Sequence, residues 1–199
     1  MKTLLSFITL LLISNFTYAQ TTAIPDANFE QKLISLGYDT RSPNGVVLTN
    51  NTNAVTYLAV NSSNISDLTG IEDFTALETF HCTYNQLTSL YVTQNTALVW
   101  LRCYDNQLTS LNVTQNTAST ELYCYGNQIT RLDVTQNMAL TSLVCFNNQL
   151  QCLNLKNGNN TSIFQFLFGQ NPNLTCIEVD DDVWATHRVV ILLSVLLFV

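Results

Sequence analysis

Positive charge is scarce in this chain. Seven Lys and Arg side chains stand against fourteen Asp and Glu, a formal net charge of −7. A surface of that sign repels a phosphate backbone, so nucleic acid is excluded as a partner class. Histidine is scarcer still, with two copies, His81 and His187. No H-E-x-x-H, Walker or nucleophile-elbow pattern accompanies them, and no nucleophile, base and orienting group fall together. The chain is therefore read as non-enzymatic, with no catalytic residue and no cofactor, and His81 as a surface residue. Asp180-Asp181-Asp182 fits no EF-hand spacing and reads as a solvated acidic cap, not a metal site. Long apolar runs are missing too. Neither Leu4–Phe16 nor Val189–Val199 reaches the about 20 residues of a membrane-crossing helix.

What the sequence has in abundance is repetition. Between Leu77 and Asn160 one pattern is written four times at a period of 21 residues, beginning at Leu77, Leu98, Ser119 and Leu140. Such a period signals a solenoid, and L-x-x-L-x-C-x-x-N-x-L is the leucine-rich-repeat pattern with Cys in place of the third Leu. In the first copy the inward positions are Leu77, Phe80, Cys82, Leu87, Leu90 and Val92. Burying such side chains gives roughly 1.5–3 kcal/mol each, while ordering backbone costs roughly 1–2 kcal/mol per residue. A lone coil therefore does not hold its shape, and stacked coils that share one core do. The x-Leu-x-Cys-x segment has the period of a half-buried strand, so successive coils align in a parallel sheet. Asn85, Asn106, Asn127 and Asn148 follow the strands, where their amides satisfy turn backbone that is otherwise buried unpaired. The Thr-Gln-Asn triplets at 93–95, 114–116 and 135–137 mark the opposite turn. The expected fold is an α/β-type repeat solenoid, a right-handed leucine-rich-repeat superhelix. It has a parallel sheet on its concave face and a helical N-terminal cap.

Cys82, Cys103, Cys124 and Cys145, spaced 21 residues apart, form a ladder that resembles that of bacterial leucine-rich-repeat surface proteins, notably the J-type internalins. The wording N-Q-L-T-S-L-x-V-T-Q-N is also similar to secreted repeat proteins of flavobacteria and other Bacteroidetes. The likeness covers about residues 24–182. It implies a non-catalytic recognition or adhesion module, secreted or at a cell surface, whose partner is a protein or a glycan. The alternative is a structural spacer, or a truncated fragment of a larger surface protein, with no ligand of its own.

Residues 1–19 read as a signal peptide, with Lys2, the apolar stretch Leu4–Phe16 and a cut after Ala19. Residues 20–54 form the N-terminal cap, with a helix over 25–36 that starts at Pro25-Asp26, buries Phe29, Leu33 and Leu36, and ends at Gly37. Its I-P-D-x-N-F-E wording resembles the flavobacterial cap. Residues 55–182 form the repeat domain of about six coils, its first coil built on Val55, Leu58, Val60, Ile65, Leu68, Ile71 and Phe74. Residues 183–199 are a divergent hydrophobic tail, at odds with the resemblance. A truncated or frame-shifted end is preferred over a weak membrane stub or a hydrophobic cap strand, and membrane contact through the tail is disfavoured.

The four ladder cysteines take an inward slot, where a thiol acts as a small hydrophobe. In-register parallel neighbours are badly oriented for a disulfide, and a linear row does not surround one ion. Cys152 and Cys176 differ. They share the slot occupied earlier by Ser89, Ser110 and Arg131, which is solvent-facing, and a disulfide between them staples the last coil. By alternation, the outward side chains are Thr79, His81, Thr83; Trp100, Arg102, Tyr104; Glu121, Tyr123, Tyr125; Ser142, Val144, Phe146; and Ile163, Gln165, Leu167. Trp100, Tyr104, Tyr123, Tyr125 and Phe146, flanked by Arg102 and Glu121, are thus expected on one exposed sheet. That is the composition of a binding hot spot. It is also what stacked rings that merely stabilise the ladder require.

Overall fold

The computed structural model describes residues 19–40 and 42–181. The expected signal peptide (but for Ala19) and the tail 183–199 lie outside the described residues, as does Asp182.

The fold opens with a small cap. Strand β1 (Thr21–Ala23) pairs antiparallel with β2 (Val46–Leu48), and helix α1 (Ala27–Ser35) lies between them in sequence. The helix starts where it does because Asp26 accepts hydrogen bonds from the backbone N–H groups of Asn28 (2.9 Å) and Phe29 (3.0 Å). The second oxygen of the same carboxylate accepts from Ser66 N (2.8 Å), Ser66 Oγ (2.9 Å) and Asp67 N (3.0 Å), tying the helix to the first coil. Glu30, buried, accepts from Asn44 N (2.7 Å) and Gly45 N (2.8 Å) and fixes the turn into β2. Phe29 and Leu33 are fully buried. Leu36, expected with them, is 41% exposed, because it is the C-cap, where the helix ends short of the predicted face.

Then the coils stack. Strands β3 (Tyr57–Ala59), β4 (Thr79–His81), β5 (Trp100–Arg102), β6 (Glu121–Tyr123), β8 (Ser142–Val144) and β10 (Gln165–Leu167) form a six-stranded parallel sheet in that spatial order. Register follows the repeat: Leu58, Phe80, Leu101, Leu122, Leu143 and Phe166 are successive partners, and all are buried. The ladder runs on past the strands, with Cys82, Cys103, Cys124 and Cys145 N–H donating to the carbonyls of Arg102, Tyr123, Val144 and Leu167 at 2.8–2.9 Å. This is a leucine-rich-repeat solenoid of about six turns. It differs from the α/β expectation in one respect: among the described residues α1 is the only α-helix, and the outer turns hold no more than short 3-10 segments.

A second sheet also differs from expectation. Strands β7 (Arg131–Asp133), β9 (Cys152–Asn154) and β11 (Cys176–Glu178) pair in parallel on another side of the solenoid, in a slot expected only to face solvent. The reason is in the repeat, since Leu-x-Val after the repeating Asn has the same alternation as Leu-x-Cys before it. Among the described residues no helix is long and apolar enough to cross a membrane.

Candidate functional site

Two columns of asparagine hold the coils in place, and they set the rigidity of everything on the sheet. Asn127 is representative. Its Oδ1 accepts from Leu108 N (2.9 Å), and its Nδ2 donates to the carbonyls of Cys103 (3.1 Å) and Cys124 (3.0 Å). Asn85, Asn106 and Asn148 repeat the arrangement. Asn171 is a fifth member that sequence reading missed, donating to Phe168 O (2.6 Å) and accepting from Leu150 N (3.0 Å). It sits 23 residues after Asn148, so the 21-residue period hid it. On the opposite turn, Asn95, Asn116 and Asn137 each donate to two carbonyls of the preceding coil.

Between the columns, Cys82, Cys103, Cys124 and Cys145 are free thiols with no solvent exposure. Burial pushes all four upward in pKa, Cys124 to about 12. Neighbouring thiols add to the rise at Cys103 and Cys145. They are inert core groups. The column ends at Phe168, which occupies the cysteine slot of the last coil and packs on Phe166 at 4.7 Å. Cys152 and Cys176 are register partners on the parallel strands β9 and β11, with Cα atoms 4.5 Å apart and sulfurs at bonding distance, so parallel register, expected to keep neighbouring sulfurs apart, does not do so here. Glu178 brings a third donor atom within 4.8 Å of the sulfurs, but it is paired with Lys156 at 3.2 Å. That cation makes a metal ion a poor tenant.

The outward side of the six-stranded sheet carries three rows, one residue from each strand or its exit. Tyr57, Thr79, Trp100, Glu121, Ser142 and Gln165 form one, and Ala59, His81, Arg102, Tyr123, Val144 and Leu167 the next. The third, just past the strands, includes Thr83, Tyr104, Tyr125 and Phe146. Of the seven predicted face residues, Trp100 alone is exposed, at 44%. Arg102, Tyr104, Glu121, Tyr123, Tyr125 and Phe146 are half-buried. The expectation of a fully open aromatic sheet is corrected accordingly. Thr83, Ser142 and Val144, predicted outward, are buried, because neighbouring side chains close over them. Thr83 donates through Oγ1 to Asn61 Oδ1 (3.0 Å), and Ser142 Oγ donates to Gln165 Oε1 (2.8 Å). Ile163, also predicted outward, is fully buried, since the backbone reaches β10 through the bend where earlier coils place Leu77, Leu98 and Leu140 inward.

The rings of the third row are packed on one another. Tyr104 and Tyr125 lie 4.3 Å apart at 9°, and Tyr125 and Phe146 4.6 Å apart at 8°. Tyr84 adds an edge-on contact to Tyr104 at 5.3 Å. Its backbone is left-handed (φ 54°), and it is 56% exposed. Sequence alternation missed Tyr84 because it sits one residue past the predicted row, and it missed Tyr57 because the first coil is irregular. Tyr57 is 54% exposed and meets the His81 ring edge-on at 5.6 Å. Burial raises the Tyr125 phenol, and neighbouring Tyr104 and Asp105 add to it. In the middle row, Arg102 donates from Nη2 to Glu121 (3.3 Å) and lies over the Tyr123 ring at 5.1 Å. Burial and the Arg102 charge hold the His81 imidazole below its usual range, and Glu121 opposes them. Tyr123 donates to Gln165 Oε1 (3.0 Å).

No protein-family model matches the sequence, and neither does any curated protein sequence. Solved structures do. The functional domain of InlJ from Listeria monocytogenes, described as including a cysteine ladder, superposes with TM-score 0.71 at 34% identity over 79% of this chain. The protein spans 35% of the length of that domain. The internalins InlF and InlC2 from L. monocytogenes strain 4b F2365 share the fold at 16% identity. InlF has TM-score 0.56, covering 79% of this chain and 56% of its own; InlC2 has 0.51, covering 84% and 93%.

Proposed function

Because the protein is an internalin-like leucine-rich-repeat protein with a cysteine ladder, we propose that it is a non-catalytic recognition module, secreted or at a cell surface, whose six-stranded face contacts a partner protein. The observation that carries this reading is an exposed Trp100, with exposed Tyr57 and Tyr84, on a sheet held rigid by two asparagine columns. Large aromatic side chains on a preordered surface lose little entropy on binding and supply the anchors of protein interfaces. Between the two partner classes expected, protein is the better fit. Sugars pack on open ring faces, and in this row Tyr125 has both faces covered while Tyr104 and Phe146 each give one face to it.

The same stack supports a second reading, a structural spacer whose rings only clamp neighbouring coils. The two separate by experiment. The full-length protein and a Trp100/Tyr104/Tyr125 triple alanine variant are offered to arrays of host surface proteins and of glycans, with circular dichroism confirming that both are folded. A named protein bound by the first and lost by the second supports recognition. Equal binding by both, or none by either, leaves the spacer reading. Glycan binding with no protein binding overturns the choice of partner class.

A further inference from the structure

Taking the six-stranded face as a binding surface, on which this inference rests, we propose that Tyr57, Thr79 and Trp100 form a slot for an arginine side chain of the partner polypeptide. The three are register partners on β3, β4 and β5, so the two rings stand two strands apart with a threonine between them. Parallel strands lie about 4.8 Å apart, which puts about 9.6 Å between the two ring-bearing backbones. Another row of the same face shows what such a span holds. Tyr104 and Phe146 also stand two strands apart, past the ends of β5 and β8, and the Tyr125 ring lies between them. It is 4.3 Å from one at 9° and 4.6 Å from the other at 8°. Thr79 brings no planar group to its own row. Its side chain ends at Oγ1 and Cγ2, which leaves the space above it to a planar group from outside. Trp100 and Tyr57 are accordingly exposed, whereas Tyr104 and Tyr125 are half-buried. Among the described residues Trp100 meets no other ring, and Tyr57 meets only that of His81, edge-on.

Charge selects the occupant. The chain carries fourteen acidic side chains against seven basic ones. At the slot itself Glu78 is exposed, one residue before Thr79, and its carbonyl accepts the N–H of Trp100 at 3.0 Å, which fixes it beside that strand. Among the described residues Glu78 enters no salt bridge. Arg102, two residues beyond Trp100, does not cancel it, because Glu121 already matches the Arg102 charge at 3.3 Å. Two aromatic rings with one unmatched carboxylate beside them favour a planar cation, and the guanidinium is both planar and always charged. Lysine carries the charge without the plane, and phenylalanine the plane without the charge.

The test uses the full-length protein labelled with 15N and four blocked peptides, acetyl-Gly-X-Gly-amide with X arginine, citrulline, lysine or phenylalanine, at fixed ionic strength. The reporter is the Trp100 indole N–H, told apart from that of Trp184 by Trp100→Phe. Citrulline keeps the plane and removes the charge. The arginine peptide is expected to shift the Trp100 signal saturably at about 10–50 mM and to bind about threefold tighter than each of the others. Thr79→Phe sets a ring where Tyr125 lies in the other row, and is expected to abolish that shift in a protein still folded by circular dichroism. Tyr57→Ala, at an exposed position, is expected to remove the preference for arginine, and it decides the matter should Thr79→Phe not fold. Equal binding of arginine and citrulline overturns the slot, as does the absence of a saturable shift with any peptide. So does arginine binding that survives Thr79→Phe, or a phenylalanine peptide that binds tightest. The slot and the reading it rests on separate on the protein arrays. A partner bound equally by the wild type and Thr79→Phe, but lost by the triple alanine variant, leaves the face as a binding surface and overturns the slot.

Discussion

The Asn127 side chain offers a sharp check on how the solenoid is held. In Asn127→Ala the N–H of Leu108 loses its partner in the core, because that amide is bonded by Asn127 Oδ1 alone. The two carbonyls fare better. Cys103 O is also held by Asn106, and Cys124 O by Asn148, at 3.1 and 3.0 Å. One orphaned N–H costs about 1–3 kcal/mol, and each of two shared bonds is worth about 0.5–1.5 kcal/mol, so the variant is expected to lose about 2–6 kcal/mol. Urea unfolding followed by far-ultraviolet circular dichroism measures it, with the slopes compared to ensure that the same unit unfolds. Asn127→Asp sharpens the test. It keeps the acceptor and turns the amide donor into an oxygen facing three carbonyls, those of Cys103, Cys124 and Tyr125. Its carboxyl pKa is then raised in the folded state. Such a group contributes stability below its unfolded pKa and loses it as pH rises, so the Asp variant should fall below the Ala variant at pH 7 and recover toward pH 4. A loss under about 1 kcal/mol for Asn127→Ala, less than one orphaned amide, would refute the argument.

Other outcomes follow from the same geometry. The ladder thiols titrate upward of their usual 9.0, Cys124 to about 12, so stability should be intact below pH 9 and decline across pH 9–12; a flat profile over that range speaks against buried thiols. Denatured without reductant, the protein should show four reactive thiols if Cys152 and Cys176 are joined, and six would sink that pairing. At Asp26, burial raises the carboxyl pKa, but hydrogen bonds from Ser66, Phe29 and Asp67 outweigh it and hold the group low. Its contribution is therefore present above the ordinary 3.8 and lost as pH falls through the lowered value, and Asp26→Ala should cost about 1–2 kcal/mol at pH 7, read by thermal unfolding. Tyr125→Ala removes two stacked contacts, each worth about 0.5–1.5 kcal/mol, and a change within error would show that the rings do not clamp the coils.

Periodicity explains why the fold was legible and the face only partly so. A 21-residue period with Leu, Cys and Asn at fixed offsets determines which side chains are inward, because any other assignment buries polar groups without partners. Phe80, Cys103, Leu122 and Asn148 follow directly. Periodicity does not tell how an outward side chain is covered by its neighbours, since that depends on residues a coil away. Val144 is the example. It points outward by alternation, yet it is 3% exposed because Tyr123 on β6 and Leu167 on β10 flank it. Where the period itself fails, at Tyr57, Ile163 and Asn171, reading from offsets fails with it. The unpaired polar seam of His81 Nε2 and Arg102 Nε was invisible for a different reason. Its signal is an absent hydrogen bond, and an absence of that kind exists only once every neighbouring donor and acceptor has a place. A surface built from a rigid repeat can therefore be located from sequence, but its specificity sits in the residues that break the pattern.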